Sequence, residues 1–173
     1  MEDVLEGKRI LIVDDESDVL ETLSEILDMC LIDTAPNFET AQKFLKKNTY
    51  DLAILDIMGV RGYDLLELAK EKKIPALMLT AHAVSPDNLV RSIKSGAESY
   101  VPKDKISDII IYIRDILEAG QRSGAAKGVK WFERLEPYFD QRFGEGWKQQ
   151  DKEFWEVFDR KYRARRDEIE EMM

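Results

Sequence analysis

Three carboxylates stand directly behind apolar runs: Asp14 and Asp15 after Ile10-Leu11-Ile12-Val13, and Asp56 after Leu52-Ala53-Ile54-Leu55. Thr80 follows a fourth run, Ala76 to Leu79, and Lys103 closely follows a fifth, Ser99 to Val101. A lone aspartate after a strand is ordinarily a solvated turn residue, but five polar groups at matching strand ends converge on one rim. Carboxylates placed side by side raise each other's pKa unless a cation compensates. All-oxygen ligation favours Mg²⁺ or Mn²⁺ with several waters retained. With one histidine and one cysteine in the chain, there is no cluster to offer zinc. A cation held this way can bridge a carboxylate nucleophile and an incoming phosphoryl group, and aspartate can carry that group as an acyl phosphate. Thr80 and Lys103 would supply a hydrogen bond and a positive charge to its outer oxygens. No Walker-type glycine loop or dinucleotide fingerprint supports nucleotide binding.

The elements that must position these groups are five short strands alternating with helices. Strands are expected at Arg9–Val13, Leu31–Ala35, Asp51–Leu55, Ala76–Leu79 and Ser99–Val101. The first, third and fourth are continuously apolar, as in a parallel sheet covered on both faces. Helical spacing marks Asp18–Met29, a helix capped by Asn37, Asp64–Lys72, Pro86–Ser95 and Ser107–Leu117. The last carries more apolar residues than one core-facing stripe needs, so part of it is expected to meet another surface. Such alternation builds an α/β, doubly wound open sheet whose functional groups gather beyond the carboxyl ends of its strands.

The chain has 173 residues, a formal charge of -9 and a pI near 4.8, which argues against a nucleic-acid binder. No signal-peptide pattern or membrane-length apolar run is present, so a cytoplasmic protein with no membrane contact is expected. Residues 1–121 form the expected main domain, and 122–173 a helical, aromatic-rich C-terminal extension. That extension holds all three tryptophans, Trp131, Trp147 and Trp155, with a hinge at Gly144–Gly146. Its aromatic stripes suit dimerisation or partner docking. The basic run Arg160–Arg166 is followed at once by acids, which further disfavours nucleic acid.

The sequences "LIVDDE" at 11–16, "YDLAILDI" at 50–57, "LMLTA" at 77–81 and "GAESYVPK" at 96–103 together resemble the receiver domain of a two-component response regulator. The resemblance covers roughly Lys8 to Ala119. It implies a flavodoxin-like, five-stranded parallel sheet of order 2-1-3-4-5 with helices on both faces. It further implies Asp56 as phosphoacceptor, with Asp14, Asp15, Asp56 and the main-chain carbonyl of Met58 around Mg²⁺. Thr80 and Tyr100 match the family's switch pair, and Lys103 its phosphate-contacting lysine. The implied donor is a sensor histidine kinase or phosphotransfer protein. On phosphorylation Thr80 would be drawn toward the phosphoryl oxygens, and Tyr100 would turn inward. Output would pass through protein contacts, including a homodimer made by the fourth helix, fifth strand and fifth helix or by the tail.

The chain departs from the family pattern after the acceptor. In "DIMGVRGYDLL", Val60 stands where proline is common and the loop is about two residues short before Gly62. Asp104 replaces the usual proline after Lys103 and suits a helix cap. In the family, positions matching Met58 and His82 border the phosphoryl group, so the resemblance implies that these two residues tune its hydrolysis. Two other readings are a pseudo-receiver scaffold and a Mg²⁺-dependent aspartyl-phosphate phosphohydrolase. The complete polar set opposes the first. Met58, where the hydrolase needs a second carboxylate, opposes the second.

Overall fold

Continuously apolar runs become buried strands. The computed structural model describes residues 3–81, 84–120 and 130–161. The strands are β1 (Arg9–Val13), β2 (Leu31–Ala35), β3 (Leu52–Asp56), β4 (Ala76–Thr80) and β5 (Ser99–Pro102). They form one parallel sheet of order β2-β1-β3-β4-β5. Every residue of β3 and β4 is buried, which explains their unbroken hydrophobicity. The weaker pattern of β2 reflects its place at an edge, where Leu31 is exposed. The expected α/β architecture and strand order are both present.

Helices α1 (Ser17–Ile26), α2 (Phe38–Lys47), α3 (Gly62–Glu71), α4 (Pro86–Lys94) and α5 (Ile109–Gly120) cover the sheet. Two begin at side-chain caps: Asn37 accepts from Thr40 N–H, and Ser85 accepts from Asn88 N–H. Helix α2 buries Ala41 and Leu45, its expected inner face. Helix α5 starts two residues later than expected, because a 3-10 turn, Lys103–Asp108, comes first. Cys30 is a buried core residue whose thiol donates to the Leu5 carbonyl. Burial pushes that thiol up to about 11, with help from the nearby acids Asp3, Glu6 and Asp28.

Beyond α5, helix α6 (Lys130–Phe143) is followed by Gly144, Gly146, a 3-10 turn at Trp147–Asp151 and helix α7 (152–161). Gly144 and Gly146 both take positive φ, as the hinge requires. Helix α6 runs through Pro137, which lacks a backbone donor. Burial of Trp131, Phe132, Leu135 and Phe139 on one face outweighs that loss. These rings continue into a cluster with Phe143, Trp147, Trp155 and Phe158. Helix α6 packs on β5 and α5, which is the second surface that the apolar excess of α5 implied.

Candidate functional site

Strand register brings the predicted groups to one rim. Val13 pairs with Leu55, Asp56 with Leu79, and Thr80 with Pro102, so β1, β3, β4 and β5 end side by side. Asp14 leaves β1 with its N–H donating to the Ala35 carbonyl, and its Oδ1 accepts from Glu16 N–H at 2.9 Å. Asp56 and Thr80 are the last residues of their strands, one residue beyond the sequence expectation, and both are buried. Asp15 is exposed at the mouth. One carboxylate oxygen from each of Asp14, Asp15 and Asp56 lies within 4.8 Å of the others.

The Lys103 ammonium closes this cluster. It stands 2.9 Å from Asp14 Oδ2, 3.3 Å from Glu16 Oε2 and 3.6 Å from Asp56 Oδ1. Sequence reasoning assigned no role to Glu16. Its position two residues after Asp14 was visible, but only the fold brings it to Lys103. Burial opposes the charge on Lys103, yet the neighbouring carboxylates win and raise its pKa. Asp14 is also pushed upward, chiefly by burial, although the Glu16 N–H and Lys103 pull it back. Burial raises Asp56 to about 7, reinforced by the negative charges of Asp14 and Asp15 and opposed by Lys103.

The short loop after Asp56 is built around two close approaches. A side chain on Gly59, at φ +84°, would run into the Asp15 carboxylate. A Cβ on Gly62 would strike the Asp56 main-chain oxygen. Between them Val60 is buried, while the Met58 side chain is 56% exposed beside the site's mouth. Arg61 stands in the left-handed region at φ +56°, unusual for a residue with a Cβ. Its guanidinium is held 2.9 Å from Asp64 and 4.0 Å above the Phe38 ring. His82 lies outside the described residues.

Tyr100 is fully buried, and its hydroxyl accepts from Ser85 N–H at 3.3 Å. Its ring lies 5.9 Å from that of Phe139 in α6. Asp104 is directed away from a capping role: its carboxylate accepts from the Tyr138 hydroxyl at 3.0 Å. The oxygen-only donor set fits a hard divalent cation, since three carboxylates converge and two are buried. The cluster is capable of coordinating such an ion; among the described residues it is the one group of three or more metal-ligating acids, histidines or cysteines so arranged.

The sequence profile of the response regulator receiver domain matches residues 10–114. The chain is 37% identical over 113 residues to the heme response regulator HssR of Staphylococcus aureus strain bovine RF122 / ET3-1. That match covers 62% of this chain and 50% of the relative, so the chain spans about half the length of the curated relatives it matches. The receiver domain protein (CheY-like) of Methanospirillum hungatei JF-1 superposes with a TM-score of 0.62 at 28% identity, covering 68% of this chain and 99% of that one. A response regulator from Chloroflexus aurantiacus J-10-fl gives 0.59 at 28% identity, covering 65% and 99%.

Proposed function

Because the chain belongs to the response regulator receiver domain family, we propose that it is a signalling switch that accepts a phosphoryl group on Asp56. An Asp56 carboxylate oxygen attacks the phosphorus of a phosphohistidine on a sensor histidine kinase or phosphotransfer protein. The O–P bond forms as the N–P bond breaks, and the histidine nitrogen leaves with the electron pair and takes a proton from solvent. Lys103 balances charge on the phosphoryl oxygens, and Thr80 offers its hydroxyl to them. Asp14, Asp15, Asp56 and the Met58 carbonyl would hold Mg²⁺, with Mn²⁺ as a substitute; the ion would offset the charge that otherwise repels an anionic donor.

The observation that carries this reading is the lysine-closed carboxylate cluster, with Lys103 Nζ 2.9 Å from Asp14 and 3.6 Å from Asp56. Attack needs the Asp56 carboxylate, and a group raised to about 7 is kept ionised best when a cation shares the site. In this reading Tyr100 is the switch partner of Thr80, and Met58 and His82 tune loss of the phosphoryl group by water. The chain is divided into a receiver, 1–121, and an extension, 122–173, which serves contacts with protein rather than nucleic acid. No described helix is long and apolar enough to cross a membrane. The proposed setting is the cytoplasm, where phosphohistidine donors are generated.

The direct test is intact-protein mass after incubation with acetyl phosphate and Mg²⁺. The expected result is one added phosphoryl group, absent without Mg²⁺ and in Asp56→Asn. An equal adduct in Asp56→Asn would place the acceptor elsewhere. Absence of both an adduct and beryllofluoride binding in the wild type would leave only a scaffold.

A further inference from the structure

Two adjacent residues of α6 grip β5 and the turn that follows it. Tyr138 donates to Asp104, the residue next to Lys103. Phe139, fully buried, packs its ring on Tyr100, whose hydroxyl receives the N–H of Ser85 at the start of α4. Lys103 is the ammonium in contact with Asp56, and Ser85 ends the connection that begins after Thr80. The first route reaches Asp56 through Lys103, and the second ties Tyr100 to the start of α4.

Other contacts seat the extension on the same face. Arg134 pairs with Asp115 of α5 at 2.7 Å, and Lys94 of α4 stands 3.9 Å from Asp151 and 5.4 Å from the centre of the Phe154 ring. The Lys105 ammonium lies 5.6 Å from the centre of the Tyr138 ring. Helix α4, β5 and α5 thus already have an occupant, which comes from the same chain.

We infer that the α4–β5–α5 face is a docking surface for the chain's own segment 130–161, and that docking there and phosphoryl binding at Asp56 favour each other. The inference rests on the phosphoacceptor reading above. With Asp104, next to Lys103, held by Tyr138, and with Tyr100, which receives Ser85 N–H, packed under Phe139, the site binds a phosphoryl group with less ordering cost. Linkage makes the effect reciprocal, so a phosphoryl group at Asp56 tightens the seat of α6. A second copy of the chain could use this face only by displacing α6.

The three tryptophans all lie in this segment, so their emission reports on it alone. The test titrates full-length protein with beryllofluoride in Mg²⁺, following bound fluoride by ¹⁹F NMR and tail accessibility by acrylamide quenching of tryptophan. The expected results are reduced quenching on binding, independent of protein concentration, and affinity about tenfold weaker in Phe139→Ala. Tyr138→Phe keeps the ring and removes only the hydroxyl, so it guards against loss of folding; it should weaken binding severalfold. Normal affinity in both variants, or a response that grows with protein concentration, would overturn the inference while leaving the acceptor intact. No bound fluoride in the wild type would instead overturn the phosphoacceptor reading on which the inference depends.

Discussion

Asp56 is 4% exposed and clusters with the buried Asp14. The folded protein therefore favours protonated Asp56, whose pKa is raised from 3.8 to about 7. An acid with a raised folded pKa binds its proton more tightly than the unfolded chain does. Stability should consequently fall as pH rises from about 4 to about 7, the window between the two values. The expected loss is on the order of 2–4 kcal/mol in chelator-treated protein, since each pKa unit is worth about 1.4 kcal/mol. Thermal melts between pH 4 and pH 8 in EDTA test this. Mg²⁺ should reverse the fall, and Asp56→Asn should largely abolish it. A flat profile in the wild type would mean that Asp56 ionises without penalty. The acid set itself was legible, because aspartates directly after apolar runs mark strand ends. The role of Glu16 was not legible, because its contact with Lys103 spans 87 positions of sequence.

At the scale of elements, the loop from Asp56 to α3 is held by close approaches. Gly62 N–H donates to the Ile57 carbonyl at 3.2 Å, and α3 begins at Gly62 against the back of the acceptor strand. Gly62→Ala would force its Cβ onto the Asp56 carbonyl and move either the loop or the helix start. The expected cost is about 2–4 kcal/mol, the range of severe backbone conflict. Urea denaturation would measure it, and a change below about 0.5 kcal/mol, the range of ordinary surface substitutions, would refute the tight approach. The sequence predicted a shortened loop. It did not predict that α3 would start at Gly62 rather than Asp64, because the glycine is used for close approach and not as a breaker. Helix starts with an N-cap oxygen were easier: Asn37 and the Ser85-Pro86 pair carry their own signals.

At the scale of the molecule, the extension and the sheet share one buried cluster. Tyr100 touches Phe139, which stacks on Phe143 at 5.5 Å, and Trp147 meets Trp155 at 5.0 Å. The Lys148 ammonium lies 5.3 Å from the Phe132 and Trp155 ring centres and 5.6 Å from that of Trp147, and it pairs with Glu136. Each cation–ring contact adds about 0.5–1 kcal/mol where exposed. If sheet and extension unfold as one unit, tryptophan emission and far-UV circular dichroism should give coincident melting curves. Phe132→Ala, which opens a cavity among rings, should lower stability by about 3–5 kcal/mol in both signals together. An emission transition well below the circular dichroism transition would show that the extension undocks independently.

The features legible before folding are local or periodic. Apolar runs specified five strands, helical spacing specified the covering helices, and the order of elements specified a parallel sheet with its acids on one rim. These follow because buried strands exclude polar residues and right-handed crossovers leave few arrangements. The aromatic stripe of α6 showed only that a surface must be covered. Periodicity identifies an apolar face without naming its partner, so a second copy of the chain fitted the sequence as well as β5 did. Only tertiary structure seated Phe139 on Tyr100 and drew Asp104 to Tyr138, across 39 and 34 positions of chain. The packing of Phe139 on Tyr100 and the pairing of Arg134 with Asp115 join residues far apart in the chain, and neither leaves a local mark in the sequence.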